Sequence, residues 1–227
     1  SIYLKRPVAG VLAERAPVTM TLGALSLTFA LVLAIPLGVL AAMFPNTIID
    51  RFALTVAVIG QALPNFFFAL IMIIVFGVWL RWLPISGHAS WLNFIMPSIA
   101  LGYYATPAIM RLTRAGMMDV LSSDYIRTAR AKGLKPRIVL FKHALRNAII
   151  PVVSFSAVQL GFMLGGSIII ESIFSLNGLG SLAWQSIQRS DFEVMQAIVL
   201  TIACFYILLT FLADLLNAYL DPRIRVA

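Results

Sequence analysis

The sequence predicts an all-α, polytopic membrane protein, and three observations carry that prediction. Of the 227 residues, 61% are apolar and 11% charged, where a soluble domain carries about 25% charged residues. Windows 16–49, 52–80, 82–110, 147–170 and 194–213 contain no Asp, Glu, Lys or Arg, and each matches or exceeds the roughly 20 residues that cross a bilayer as a helix. Nine of the 17 Lys and Arg crowd between Arg111 and Arg146, the kind of asymmetry that orients membrane proteins. In hydrocarbon the backbone must satisfy its own hydrogen bonds, so the uncharged windows are helices or parts of helices.

Residues 1–18 form a polar, extracytoplasmic lead-in with Lys5, Arg6 and Arg15. No apolar stretch of signal-peptide length follows a basic start there. The chain opens on Ser1 rather than Met, so a piece of a longer protein is expected. A transmembrane domain over 19–221 follows. Its first span, 22–44, contains Pro36, tolerated where neighbouring helices re-satisfy the freed carbonyl. The second, 52–80, is interrupted near Gln61, Pro64 and Asn65. The third, 91–110, holds Pro97 and Pro107. A polar loop occupies 111–147, spans four and five cover 148–170 and 197–216, and 222–227 is a short tail. Between the last two spans, 171–196 is of mixed polarity. Its Gly-broken part, 174–184, suits a short re-entrant or surface helix or a plain loop. With the 111–147 loop cytoplasmic, twelve Lys and Arg lie inside and five outside. The opposite orientation reverses that ratio and is disfavoured. Trp79, Trp82 and Trp91 then cluster at the outer interface.

The net charge of +8 follows from this topology, and no nucleic-acid partner is expected. The one cysteine, Cys204, allows neither a disulfide framework nor a Cys-based metal site. A phosphate-cradling Gly-x-x-x-x-Gly-Lys-Ser/Thr loop and a His-Glu-x-x-His motif are both missing. No catalytic residue and no metal ligand is assigned.

The chemistry concentrates in the basic loop. Ser122-Ser123-Asp124-Tyr125-Ile126-Arg127-Thr128-Ala129-Arg130-Ala131-Lys132-Gly133 has the marks of one short helix. Ser123 is placed to cap it with its hydroxyl. Asp124 sits in the first turn and Arg130 and Lys132 in the last, as the helix dipole favours. Gly133 is placed to end it in the left-handed conformation. Pro136 opens a second helix at a tolerated position. Such a helix suits insertion into a groove on another protein. A basic loop that only enforces topology and touches anionic lipid is the competing reading.

Tyr125–Gly133, then His143-Ala144-Leu145-Arg146-Asn147 and Pro151, resemble the EAA loop of permease subunits of ABC importers. More narrowly the chain is similar to the dipeptide/oligopeptide/nickel permease family, in its DppB/OppB-like branch. Glu171, Phe174, Gly178, Leu179, Gly180 and Asp191 match a second pattern of that family, and Ser1-Ile2-Tyr3 with Pro7-Val8 resembles the stretch before its second span. Two departures stand out. Arg127-Thr128-Ala129 replaces Glu-Ala-Ala, and His143-Ala144-Leu145-Arg146 replaces Ile-x-Leu-Pro; both fit the peptide branch. Family members carry a further N-terminal helix and extracytoplasmic segment, so the full subunit is expected to have six spans.

The resemblance implies a membrane-spanning permease subunit of an ATP-driven importer for di- or oligopeptides or a related small solute. It implies a second homologous permease subunit, two ABC ATPase subunits and an extracytoplasmic substrate-binding protein as partners. ATP and Mg would bind on the ATPase subunits, and no cofactor on this chain. Asp124, Tyr125, Arg127, Thr128, Ala129, Arg130, Ala131, Gly133 and Leu145 would form the ATPase-coupling site. Glu171, Gly178, Gly180 and Asp191 would contact the binding protein. Polar groups inside spans are costly in lipid, which makes Gln61, Asn65 and Gln159 candidates for the translocation path; hydrogen bonding between helices is an equal alternative. Gly161-x-x-x-Gly165 and Gly166 allow a close helix contact. A stand-alone secondary transporter or channel is the rival function. It needs charged relays inside the spans, and only Asp214 approaches that. An intramembrane enzyme lacks a visible nucleophile–base pair, and an assembly scaffold shares the docking helix.

Overall fold

Pro64 and Pro107 decide how the middle of the chain is cut into helices. The computed structural model describes residues 6–220; of Val56, Ala57, Val58, Gly60 and Leu220 it describes the backbone alone. The expectations for Ser1-Ile2-Tyr3, Lys5 and the 222–227 tail lie outside the described residues. Helix α1 covers Val8–Met43, α2 Ile48–Ala62 and α3 Asn65–Met72, which runs on as a π-helical turn, Ile73–Trp79. Then come α4 (Leu92–Gly102), α5 (Thr106–Leu121), α6 (Asp124–Ala131) and α7 (Pro136–Ile138). A second π-helical stretch, Val139–Leu145, leads into α8 (Arg146–Ala148), α9 (Ile150–Ile173), α10 (Leu179–Gln188) and α11 (Phe192–Leu220). No strand occurs among the described residues.

Three helices, α1, α9 and α11, are long and apolar enough to cross a membrane. The stretch expected as the second span is broken at the interruption read near Gln61, Pro64 and Asn65. Proline has no N–H and its ring crowds the carbonyl four residues back, so α2 ends at Ala62 and α3 restarts after Pro64. The Tyr103 hydroxyl donates to the Leu63 carbonyl at that break, and the Phe68 and Tyr103 rings pack at 4.4 Å between centroids. The third expected span is likewise divided, at 103–105, where Pro107 lies in the first turn of α5. Helix α1 begins at Val8, so most of the expected lead-in is helical. Apolarity of Val8, Val11 and Leu12, which pack on the α10 and α11 core, carries the helix back that far.

The described chain divides into two compact units: 6–29, 63–104 and 159–208 form one, and 30–62, 105–158 and 209–220 the other. The first has a core of Val11, Leu179, Leu182, Ala183, Val194 and Ile198. The second is built around Val39, Ala42, Met117, Ile126, Ala129, Val139, Ala144 and Ala148, the core on which α6 rests. Glycine permits the closest helix approaches. A Cβ on Gly102 would lie 2.3 Å from the Ser26 carbonyl oxygen, and one on Gly161 2.0 Å from the Tyr206 ring. Gly165 and Gly166 have nothing within 4 Å of such a Cβ, so only the first glycine of that motif is used for close packing in this unit.

Gly102→Ala should therefore cost about 1–3 kcal/mol, the usual range for overpacking. Gly10→Ala, where an added Cβ meets nothing within 4 Å, should be neutral or slightly stabilising. Thermal unfolding of both variants in detergent checks the contrast.

Candidate functional site

Helix α6 is short, and Gly133 fixes its end. Ser123 has the extended backbone of an N-cap, but its hydroxyl does not cap the helix. It donates instead to the Val120 carbonyl at 2.6 Å. This corrects the expected capping bond: the hydroxyl bonds back to a carbonyl in the last turn of α5, as serine hydroxyls readily do. The other end is as expected. Gly133 adopts φ +73°. The Gly133 amide donates to the Arg130 carbonyl at 3.0 Å and the Leu134 amide to Ala129 at 3.4 Å. These two bonds are the Schellman arrangement that closes a helix on glycine.

The helix has two faces. Ile126 and Ala129, three residues apart and so on one side, are buried in the core with Met117, Val139 and Ala144. Asp124, Tyr125, Arg127, Thr128, Arg130 and Ala131 are exposed, as are Lys132 and Gly133. Ala129 and half-buried Leu145 thus hold the helix to its unit, while the exposed set presents a polar surface. The Tyr125 hydroxyl accepts from the Asn147 side-chain amide at 2.8 Å, tying the start of α6 to the turn after the second π-helical stretch. Asp124 and Arg127 pair at 3.3 Å with both side chains largely exposed, an arrangement worth little in water.

Beneath α6, α5 is fixed to α2. The Asp50 carboxylate accepts from Arg114 Nε at 2.6 Å and Nη2 at 2.7 Å and from the Asn46 amide at 2.9 Å. The Asp50 side chain is 3% exposed and that of Arg114 21%. A planar two-point pair of this kind fixes orientation as well as distance. Its hydrogen bonds hold the Asp50 carboxyl below the usual carboxylate range and push the Arg114 guanidinium higher. Nothing in the sequence reading singled this pair out, although Asp50 is the sole acid between Arg15 and Met118.

In the other unit, Glu171, in the last turn of α9, is fully buried with its carboxylate against the first amides of α10. Glu171 Oε2 accepts from the Ser181 amide at 2.9 Å; its carboxylate also accepts from the Gly180 amide. Glu171 Oε1 accepts from the Thr19 hydroxyl at 2.8 Å and the Ser167 hydroxyl at 2.9 Å. Thr19 Oγ1 in turn accepts from the Leu179 amide at 2.7 Å. The first three amides of α10 are thereby satisfied by two side chains from other helices, in place of the N-cap residue, Gly178. A Cβ on Gly178 would fall 2.5 Å from both Glu171 Oε2 and Thr19 Oγ1. Asp191 is buried, and its Oδ1 accepts from the Val194 amide at 3.5 Å in the first turn of α11. Glu171, Gly178, Gly180 and Asp191, expected to meet a binding protein, are all buried and build helix starts instead. Spacing alone gave no means of separating an inward from an outward carboxylate.

Gln61, Asn65 and Gln159 are each half-buried. Gln61 belongs to the unit of α5, where its side-chain oxygen accepts from Arg111 Nη1 at 3.3 Å, and Asn65 and Gln159 to the other. Asp214 is exposed.

Fold and site together define a class first. The chain aligns with a chain of the inward-facing MetNI methionine ABC transporter at a TM-score of 0.79 and 20% identity, over 96% of this chain and 99% of that one. An amino acid ABC transporter solved with histidines aligns at 0.62 and 18% identity, over 95% and 94%. This is the helical architecture of type I ABC permeases. The family follows from sequence: residues 34–226 match the binding-protein-dependent transport system inner membrane component, and the chain belongs to that family. Among curated proteins it is 42% identical to the glutathione transport system permease protein GsiC of Escherichia coli K12, over 225 residues, 99% of this chain and 74% of that protein. The counterpart from Pectobacterium atrosepticum is 41% identical over the same shares. The chain is thus a multi-pass inner-membrane protein and a permease subunit of an ABC importer.

Two outcomes follow from the buried carboxylates. Asp50→Asn should destabilise the protein by about 3 kcal/mol at neutral pH, since it leaves Arg114 without its charge partner. Because the folded-state pKa of Asp50 lies below its ordinary 3.8, the pair's contribution is fully present above that value and is lost as pH falls through the depressed one. The difference in unfolding free energy between wild type and D50N should stay constant from pH 7 to about 5 and shrink only at more acid pH. Glu171→Ala strands the Gly180 and Ser181 amides. It should cost about 2–5 kcal/mol and raise amide hydrogen exchange selectively at 179–182.

Proposed function

We propose that this chain moves a short peptide or a glutathione-like solute through the inner membrane, and that α6 is the helix by which ATP hydrolysis on a separate subunit is coupled to it. One observation supports the coupling role above others. An eight-residue helix keeps Ile126 and Ala129 in the core, presents a polar face outward and is stopped sharply at Gly133. A helix of that length, about 12 Å at 1.5 Å per residue, suits a cleft on a protein partner. The distribution of Lys and Arg supports placing this face in the cytoplasm.

In this reading Tyr125, Arg127, Thr128 and Ala131 meet the ATPase, and Asp124 sets the charge at the helix start. Ala129, Leu145 and Gly133 act from behind by holding the helix. A second, homologous permease subunit, two ATPase subunits that carry ATP and Mg, and an external binding protein complete the importer. The glutathione permeases among the relatives favour a peptide-like substrate, since glutathione is itself a tripeptide. Gln61, Asn65 and Gln159 remain the proposed polar groups of the path.

Gly133→Pro, or deletion of 125–132, should leave membrane insertion intact and reduce substrate-stimulated ATP hydrolysis at least tenfold. Uptake of labelled glutathione and of a set of dipeptides into vesicles, with the cognate binding protein present, reads the substrate class. Normal stimulated hydrolysis in both variants would sink the coupling assignment, and uptake of neither solute class by the wild type would sink the substrate assignment.

A further inference from the structure

A groove beside α6 is left unused by the coupling role. It has a volume of about 790 Å³, within the ~300–1,000 Å³ of pockets that hold small organic ligands. Its walls come from one unit: the end of α1, the end of α5, and the segment running from α6 into the second π-helical stretch. Met43, Leu121, Val139 and Leu140 make its apolar side, and Arg130 and Arg137 are its two charged lining residues. No acidic side chain lines it, and neither arginine takes part in an ion pair among the described residues. Both are exposed.

That combination selects a ligand. Two guanidinium groups offer forked donors matched to a phosphate, and an apolar wall beside them has no use for a fully hydrated anion. Met43 and Phe44, at the end of a helix able to cross the membrane, are exposed as well. We infer that the groove binds an anionic phospholipid, with its phosphodiester on Arg130 and Arg137 and an acyl chain along Met43, Leu121 and Leu140. Arg130 then faces lipid while Arg127, which does not line the groove, is left for a protein partner. Bound lipid would brace α6 along the edge of its polar face that carries Arg130. This inference rests on the groove and not on the transported substrate.

The test uses the intact importer purified in detergent, titrated with phosphatidylglycerol and with phosphatidylcholine of the same chains, and read by native mass spectrometry. The wild type should prefer phosphatidylglycerol. The Arg130→Gln/Arg137→Gln double variant should bind it about 25-fold more weakly, with phosphatidylcholine unchanged, because each basic group near a lipid surface contributes about fivefold. Met43→Ser, at an exposed wall position, should weaken it several-fold with the arginines intact. Arg189→Gln, outside the groove, should have no effect. Equal phosphatidylglycerol binding by wild type and the double variant would overturn the assignment. So would competition by glycerol 3-phosphate as strong as by the lipid, which would leave the apolar wall without a role. Loss of the ATPase subunits from the double variant would also overturn it, by assigning the arginines to protein docking.

Discussion

A helix that begins inside apolar surroundings must find partners for its first amides within the protein, because lipid offers none. That constraint organises the unit around α10. The carboxylate of Glu171 and the hydroxyl of Thr19 together supply every acceptor that the first turn needs. Leaving the carboxyl group buried is tolerable only because Thr19, Ser167 and the α10 amides all donate to it; a buried polar group without such partners would cost far more than it returns. Gly178 follows from the same requirement. Its place is set by room and not by backbone strain, since φ is −96° there and any residue tolerates that angle.

The other unit meets a related demand with an ion pair. Asp50 and Arg114 hold α2 to α5 by two parallel bonds. Gly116 lets α5 approach the Ala148 carbonyl, which a Cβ would meet at 2.8 Å. Met117, one residue further on, is in the core that receives Ile126 and Ala129 of α6. Such a pair adds little net stability over an apolar substitute, but it is costly to break from one side. Its value here is angular: it sets where α5 points, and therefore where α6 is presented.

Much of this was legible in the sequence. Charge-free windows revealed the helical, membrane-spanning class, and the Asp124–Gly133 signals revealed α6 with its end at Gly133. Three things were hidden. The interruption at Pro64 was legible, but Pro107 lies inside a window read as one span, so composition could not show that a new helix starts there. The direction of the Ser123 hydroxyl depends on a carbonyl of the previous helix, which no local pattern encodes. The roles of Glu171 and Asp191 turn on burial, and a motif resemblance does not carry that. The π-helical stretch Val139–Leu145 misleads in its own way. Val139 and Ala144 are both buried, five residues apart. An α-helix would set them on different faces, while i→i+5 bonding brings them together.

That wide turn has a consequence for how α6 is held. With Val139 and Ala144 on one face and Ala148 one α-turn later, the segment after α6 presents a continuous strip of small and branched side chains to Ile126 and Ala129. Asn147 then lies where its amide reaches the Tyr125 hydroxyl. Helix α6 is therefore gripped at its start by a hydrogen bond, along its length by two buried side chains, and at its end by the Gly133 closure. Close-packed contacts of this kind transmit displacement instead of absorbing it. If α6 takes the load from an ATPase, the first element to feel it is the second π-helical stretch, through Val139 and Ala144, which hands it on to α5. The Asp50–Arg114 pair passes it to α2 without slack, because a two-point carboxylate–guanidinium contact resists rotation as well as stretch. Arginine at 114 serves this purpose in a way lysine would not, since a single rotatable ammonium would fix the separation of α2 and α5 and leave their relative rotation free.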